Sequence, residues 1–349
     1  MIKFGQLLPI PVSPIESLIK VGVRTEKAGL DSVWAADHLL MIPTGIVPNI
    51  WPILGIIASQ TERIEIGTCV SDPHRMHPAV FAQMIATIDQ ISQGRTIAGL
   101  GPGEAMNVEQ FGIQWNKPVS RMEEFIKILR ALWLKDRVDY QGEFWNLKDA
   151  LLQIKPKRNP VPIYIGANGK RTREITGKIA DGWLPTPQSP KLYKKHLDEI
   201  RSAANRVGRI LDNFDPGLYI YVAIAEKYEE AMSQLRKIKP QIAFFPKTIK
   251  EAGYDVEIPS YLSETLYSSI LVTEKGFKLY EEFGNYIPDE VVEDFSIVGT
   301  PEDCANKVEE FVKAGVKHFI LINMGPDPKF VLDTFANKII PSYRGEGSV

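Results

Sequence analysis

The 349-residue sequence predicts a single α/β domain, a (β/α)8 TIM barrel carrying a helical insertion between its seventh and eighth strands. Three observations predict it. Short apolar runs alternate eight times with stretches of helical spacing, the pattern of repeated β-α-β units around a parallel sheet. Some runs are continuously apolar, as in Leu218-Tyr-Ile-Tyr-Val-Ala-Ile-Ala225, which suits a strand buried on both faces. Residues able to do chemistry recur just past the ends of these runs, where such a barrel collects its function.

Ile2 to Leu8 reads as the first strand, broken by Pro9, Pro11 and Pro14. Ser13 is placed to cap a helix over Pro14–Lys27, with Pro14 at its first position and Gly29 as its stop. Asp31–Ala36 is the second strand and ends in Asp37-His38. A helix near Trp51–Gln60 follows, then a third strand over Arg63–Gly67 that runs into Thr68-Cys-Val-Ser-Asp-Pro73. His77–Ile91 is helical, and Thr96–Leu100 is a fourth strand emptying into Gly101-Pro-Gly-Glu-Ala-Met-Asn107.

Val119–Trp133 has the apolar spacing of a helix with a wide core face, and Asp139–Leu147 reads as a surface hairpin turning at Gln141-Gly142. Val161–Ile165 is the fifth strand, Arg171–Ala180 a helix, Asp181–Thr186 the sixth strand and Lys191–Val207 a charged amphipathic helix. Leu218–Ala225 is the seventh strand. Pro301–Ala314 is a helix capped by Thr300, Val316–Asn323 the eighth strand, and Asp327–Ile340 a closing helix. The segment from about 237 to 293 is too long for an ordinary connection, so residues 1–349 read as one barrel domain with a helical, lid-like insertion there.

Composition excludes several classes. Lys plus Arg number 41 against 43 Asp plus Glu, a net charge of −2, so neither a nucleic-acid surface nor a polybasic membrane patch is expected. Cys69 and Cys304 are too few for a disulfide framework or zinc cluster, and no His/Cys/Asp grouping has metal-ligand spacing. Met1-Ile-Lys-Phe-Gly5 begins directly as a strand, with no signal peptide in view, and a cytoplasmic protein is expected.

Four groups fall independently at strand ends: Asp37-His38, Cys69 to Asp72, Gly101 to Asn107 and Gly166 to Lys170. Gly101 and Gly103 let backbone approach a ligand closely, and Glu104 puts a carboxylate at the mouth of the fourth strand; the alternative is an ordinary turn with a solvated glutamate. His38 reads as a general acid, a hydrogen-bond donor or a structural histidine, and Asp37 as its support or a loop cap. His74 and His77 read as a solvated turn, His196 as a surface residue and His318 as structural. Gly166-Ala-Asn-Gly-Lys170 lies where free N–H groups at a helix start hold phosphate, or is a plain turn. It has no Walker spacing, and the fourth-strand loop is not a Rossmann fingerprint.

Beyond these readings, the motifs resemble a family. Val33-Trp-Ala-Ala-Asp-His38, Ile66-Gly-Thr-Cys-Val-Ser-Asp-Pro-His-Arg-Met-His-Pro78, Gly94-Arg95 through Asn107, Pro162-Ile-Tyr-Ile-Gly-Ala-Asn-Gly169, Ala180-Asp-Gly-Trp183 and Phe295-Ser-Ile-Val-Gly-Thr-Pro-Glu302 resemble the bacterial luciferase-like superfamily. More narrowly they resemble its deazaflavin branch, the oxidoreductases that use coenzyme F420. The resemblance implies a barrel with the deazaflavin in its mouth, against a bulge in the third strand with a non-prolyl cis peptide at Cys69–Val70. It further implies Asp37 and His38 near the ring, Asn107 touching the cofactor, Gly166, Ala167, Asn168, Gly169 and Lys170 receiving its phosphate, and Glu104 transferring a proton. A buried glutamate among apolar walls would hold its proton near neutral pH.

For substrate, Gly112-Ile-Gln-Trp-Asn-Lys-Pro-Val-Ser120 resembles methylenetetrahydromethanopterin reductases, whereas Ala131-Leu-Trp133, Gly142-Glu-Phe-Trp145 and the stretch from Lys317 resemble the secondary-alcohol and sugar-phosphate dehydrogenases. Gln6-Leu7 stands where the reductases carry a glutamate, Glu104 where they carry aspartate, and Ile42 where the sugar-phosphate enzymes carry an aromatic residue. The expectation is a pterin reductase of one-carbon metabolism, with an alcohol dehydrogenase as alternative. An FMN-dependent monooxygenase and a non-catalytic cofactor-binding barrel are the rivals from other classes. The branch also implies a homodimer or higher homo-oligomer, from an archaeon or an actinobacterium.

Overall fold

A computed structural model of the protein describes residues 1–10, 14–41, 45–257 and 273–344. Its strands, in chain order, are β1 (Lys3–Leu7), β2 (Ser32–Ala35), β3 (Glu65–Thr68), β4 (Thr96–Leu100), β5 (Val138–Gln141), β6 (Asn146–Ala150), β7 (Ile163–Ile165), β8 (Gly182–Trp183), β9 (Asp215–Ile224), β10 (Ser296–Gly299) and β11 (His318–Asn323). Parallel pairing runs β11-β1-β2-β3-β4-β7-β8-β9, and β9 pairs back to β11, so eight strands close into a barrel. These are the eight strands expected, each within a few residues of its predicted bounds.

β10 is a ninth parallel strand, just past the expected insertion, that the sequence reading did not assign. β8 covers only Asp215 and Pro216 at the start of the long β9, and β10 takes the same edge further along, with Ser296 beside Tyr221. β5 and β6 form the expected outer hairpin. The buried carboxylate of Glu124 seats its turn by accepting the backbone N–H groups of Glu143, Phe144 and Trp145.

Helices cover the outside. The first begins at Glu16, two residues later than predicted, with no side-chain cap at Ile15. Ser13, expected to cap it, lies outside the described residues, as does Ile42. Between β9 and β10 the described residues form short helices around a second apolar core that includes Met232, Ile242, Phe283, Ile287, Val291 and Phe295. The expected insertion is described except for residues 258–272. Among the described residues, no helix is long and apolar enough to cross a membrane.

The barrel interior is layered. Its lower end is closed by polar residues that each begin a strand: Lys3, Ser32, Glu65, Asp215 and His318. Asp215 Oδ2 accepts from Tyr164 Oη at 2.7 Å, lies 3.0 Å from His318 Nδ1, and is 3.4 Å from Lys3 Nζ. His318 Nε2 meets Ser32 Oγ at 2.6 Å, and Trp34 Nε1 donates to the same hydroxyl. His318 is fully buried, in the structural role expected. Above this plug sits an apolar layer of Leu7, Trp34, Ile97, Tyr164, Leu184 and Ile320. Cys69, Val70, Tyr219 and Ile322 pack on that layer and are only partly buried, so they form the floor of the upper mouth.

Burial would raise the Asp215 carboxyl, but His318, Lys3 and the Tyr164 hydroxyl outweigh it and hold the group below the ordinary carboxylate range. Its contribution to stability is therefore full above the unfolded value of about 4 and is lost as pH falls through that value towards the folded one. Asp215→Asn removes the buried charge that Tyr164, His318 and Lys3 converge on, although Lys3 keeps Glu65 at 2.9 Å, and is expected to cost about 3–5 kcal/mol in urea unfolding at neutral pH. The gap between wild type and variant should close in acid. A neutral-pH loss below about 1 kcal/mol would show that the plug is not a cohesive network.

Candidate active site

The mouth is built where β2, β3, β4 and β7 end. β3 leaves the sheet at a cis peptide between Cys69 and Val70, at the position expected. The backbone stays tied to its neighbours: Cys69 N–H donates to Ala35, Ser71 N–H to Gly99, and Gly101 N–H to Ser71. Val70 is held between the ends of β4 and β7. A Cβ on Gly101 would stand 2.5 Å from Val70 Cγ2, and one on Gly166 3.3 Å from both Val70 methyls. Gly101 therefore serves here to make room for Val70. Burial pushes the Cys69 thiol up to about 12, so it stays protonated and unreactive.

The chemistry-bearing side chains meet at Asn107, which is 4% exposed on the short helix Ala105–Val108. Its Oδ1 accepts the backbone N–H groups of Leu39 at 3.1 Å and Leu40 at 3.0 Å. Its Nδ2 lies 2.8 Å from His38 Nδ1 and donates to Glu104 Oε2 at 2.9 Å. The His38 and Glu104 side chains are 24% and 28% exposed, with His38 Nδ1 and Glu104 Oε2 3.9 Å apart. Among the described residues Glu104 is thus partly exposed rather than buried as expected. The Glu104 loop is itself braced: Trp115 Nε1 donates to Pro102 O at 3.1 Å, and Gly103 turns with φ +76°, packed against Asp72 and His74.

Asp37 does not support His38 directly. Its carboxylate turns onto Arg75, with Nη1 3.1 Å from Oδ1 and Nη2 2.9 Å from Oδ2, while Nη2 also donates to the Asp37 carbonyl. Arg75 Nε donates in turn to Asp72 Oδ2. Burial would raise the Asp72 carboxyl, but the adjacent His74 and the Arg75 guanidinium hold it at about 2. Arg75 was not singled out from the sequence. Its partner Asp37 is 38 residues away, so no local spacing marks the pair.

Two histidine readings are corrected. The His74 side chain is only 1% exposed, packed under the Glu104 loop rather than solvated, because Gly103 leaves space for it. His77 is the exposed member and accepts the Ala79 N–H at the start of the next helix. His196, expected on the surface, is buried between Gln188 at 2.7 Å and Glu251 of the insertion at 2.9 Å. A charged helix conceals such a residue because the insertion covers that face.

After β7, Gly166 to Gly169 lead into the helix Lys170–Ile179. Ala167 is buried and its carbonyl accepts Trp183 Nε1; Asn168 Oδ1 accepts both the N–H and the hydroxyl of Thr186. Gly169 and Lys170 are exposed, with the first N–H groups of the helix beyond them. The far wall of the mouth carries Tyr219 and Tyr221, ring centroids 6.0 Å apart. Burial pushes the Tyr221 phenol up to about 12 and holds that of Tyr219 well above its ordinary value, so both stay protonated hydrogen-bonding groups. The sequence reading took both as strand core; their alternation along β9 was the available signal. Among the described residues no three His, Cys, Asp or Glu side chains group as a metal site.

An apolar floor of Cys69, Val70, Tyr219 and Ile322 fits a planar heterocycle, and the exposed helix start at Lys170 fits an anionic tail. The donor set therefore suits a phosphorylated aromatic cofactor.

Comparison with known proteins agrees with this geometry. The profile of the luciferase-like monooxygenase family matches residues 2–318. A 5,10-methylenetetrahydromethanopterin reductase of Archaeoglobus fulgidus is 30% identical over 325 residues, spanning 91% of this chain and 93% of that protein. An F420-dependent glucose-6-phosphate dehydrogenase of Microbacterium testaceum is 30% identical over 336 residues, spanning 94% of this chain and 93% of that one. Among solved structures, an F420-dependent secondary alcohol dehydrogenase in complex with an F420-acetone adduct superposes with a TM-score of 0.83 at 25% identity, over 99% of each chain. The coenzyme F420-dependent tetrahydromethanopterin reductase of Methanopyrus kandleri gives 0.81 at 25% identity, over 98% of this chain and 99% of that one.

The Val70 seat makes a graded prediction. Gly101→Ala should cost about 1–3 kcal/mol in chemical denaturation, the usual range for overpacking, and shift the Val70 methyl resonances. Gly166→Ala, whose Cβ has 3.3 Å rather than 2.5 Å, should cost less than Gly101→Ala. The reverse order would mean that Val70 is not wedged as described.

Proposed function

The chain belongs to the luciferase-like monooxygenase family, and on that premise we propose that it is a coenzyme F420-dependent oxidoreductase moving a hydride between the deazaflavin and a small organic substrate. The observation that carries this reading is the union of Glu104, Asn107 and His38 through hydrogen bonds of 2.9 and 2.8 Å beside the Val70 floor. When bound, the deazaflavin supplies the hydride carrier, and the protein supplies binding, orientation and a proton route.

Each residue has a task in this account. Cys69, Val70, Tyr219 and Ile322 present the apolar floor for the ring. Gly101 leaves Val70 upright, and Gly103 gives the Glu104 loop its turn. Gly166, Ala167, Asn168, Gly169 and Lys170 form the turn that receives the phosphate at the helix start, with the Lys170 cation beside it; the Gly166 and Gly169 N–H groups are themselves spent on Leu100 O and Thr172 Oγ1 and shape that turn. Asp37 holds the β2 end through Arg75. Glu104 commits one oxygen to Asn107, and its partial exposure connects the carboxylate to solvent for proton exchange. His38 faces the substrate as a hydrogen-bonding group.

For substrate we favour 5,10-methylenetetrahydromethanopterin, with reduction of its methylene group. Support comes from the 30% identity to the Archaeoglobus reductase and from the resemblance of Gly112–Ser120 to such enzymes. A secondary alcohol is the second reading, supported by the TM-score of 0.83 to the alcohol dehydrogenase. The active form we propose is a homodimer or higher homo-oligomer, with residues 1–349 as one barrel domain.

Incubating the protein with oxidised coenzyme F420 and either methyl-tetrahydromethanopterin or 2-propanol tests these readings. Loss of the visible absorbance with the pterin alone is expected; loss with 2-propanol alone selects the alcohol. Tightly held FMN with oxygen uptake would overturn both in favour of a monooxygenase. Glu104→Gln should lower turnover by about 10²–10⁴-fold, the usual worth of an acid–base group. Unchanged turnover removes Glu104 from the mechanism.

A further inference from the structure

We propose that Asn107 is a positioning residue that fixes the tautomer of His38: the neutral imidazole carries its proton on Nε2, and the ring is kept out of direct proton exchange with Glu104. His38 then acts as a hydrogen-bond donor that polarises substrate, and Glu104 alone moves the proton. The catalytic half of this statement rests on the oxidoreductase reading above; the tautomer does not.

The orientation of the Asn107 amide follows from its neighbours. Two backbone N–H groups, those of Leu39 and Leu40, point at one terminal atom at 3.1 and 3.0 Å, and only the oxygen can accept both. The other terminal atom is therefore the NH2 group. It has two hydrogens and two partners, His38 Nδ1 at 2.8 Å and Glu104 Oε2 at 2.9 Å. A hydrogen directed at Nδ1 requires a lone pair there, so the imidazole proton resides on Nε2. An imidazolium, or the Nδ1–H tautomer, would set N–H against N–H.

The same amide separates the two titratable side chains. His38 Nδ1 and Glu104 Oε2 are 3.9 Å apart, close enough for an ion pair were the ring charged. The Asn107 NH2 group instead donates to both, and an amide does not pass a proton between its two acceptors. The next charged groups, Asp37 and Arg75, are paired with each other and leave the ring without a second acid. Asn107 has no hydrogen-bonding capacity left for a ligand unless one of these four bonds is surrendered. A neutral imidazole aimed at a carbonyl or imine polarises it without being consumed as an acid.

The test is nitrogen NMR of the full-length, ligand-free protein labelled with 15N-histidine, about two pH units above the ordinary imidazole value. His38→Gln assigns the ring. The expected spectrum places His38 Nδ1 at the unprotonated, pyridine-type shift and Nε2 at the protonated, pyrrole-type shift. Asn107→Asp retains an acceptor for Leu39 and Leu40 but turns an oxygen towards Nδ1. In that variant Nδ1 should move to the pyrrole-type shift, and turnover with coenzyme F420 should fall by about 10²–10³-fold, as for other lost transition-state donors. A protonated Nδ1 in wild type overturns the proposal, and so does an unprotonated Nδ1 in a folded Asn107→Asp variant. Should that variant not fold, the wild-type spectrum decides alone. The expected tautomer in a protein that never bleaches the cofactor would overturn the oxidoreductase reading and leave the tautomer assignment standing.

Discussion

The mouth depends on one side-chain amide with every bond in use. Asn107 takes two N–H groups from the chain just past β2 and gives its own two hydrogens to His38 and Glu104. The segment after β2 and the loop after β4 are therefore fixed relative to each other by three short hydrogen bonds, while the fourth holds Glu104 within its own loop. Arg75 closes the circuit from the other side by tying Asp37 to Asp72, against which Gly103 packs. A path of contacts thus runs from Asp37 through Arg75, Asp72, Gly103, Glu104 and Asn107 back to His38. Side chains placed this way are preorganised: little rearrangement stands between the free protein and a competent site.

That rigidity rests on a layered barrel. At the lower end of the barrel the charged residues Lys3, Glu65, Asp215 and the ring of His318 each find a partner, which offsets the cost of their burial. The apolar layer above them separates the plug of Asp215 and His318 from the Glu104–Asn107–His38 cluster at the mouth. Trp34 spans both regions, packing its ring in the apolar layer and donating its N–H to Ser32 below. The floor of the mouth is the top of this same layer, where Cys69, Val70, Tyr219 and Ile322 are only partly buried.

Much of this was legible in the sequence because parallel barrel strands are continuous apolar runs and because barrel chemistry gathers at strand ends. Glu104, His38, Asn107 and the Cys69–Val70 position were singled out that way, the last two with help from the family resemblance, and the first three meet through hydrogen bonds at the mouth. The strand β10 was not, since Ser296–Gly299 is a four-residue run at the tail of a long insertion and only the spare edge of β9 makes it a strand. Arg75, His74 and His196 were misjudged for a common reason. Their surroundings come from segments distant in sequence, and a polar residue beside Pro or Lys looks solvated until a distant loop covers it. The direct hydrogen bond from Asn107 to both acid candidates was likewise invisible, although the three-residue spacing from Glu104 placed them on one helical turn.

The central claim is that a deazaflavin rests on the Cys69–Val70 floor with its reacting edge towards His38 and Glu104. A crystal structure of the protein soaked with oxidised coenzyme F420 tests it most directly. The account predicts the planar ring over Val70, the phosphate at Gly166–Lys170, and His38 Nε2 and the free Glu104 oxygen facing the open space above the ring. A ring seated elsewhere, or Glu104 and His38 turned away from it, would contradict the account.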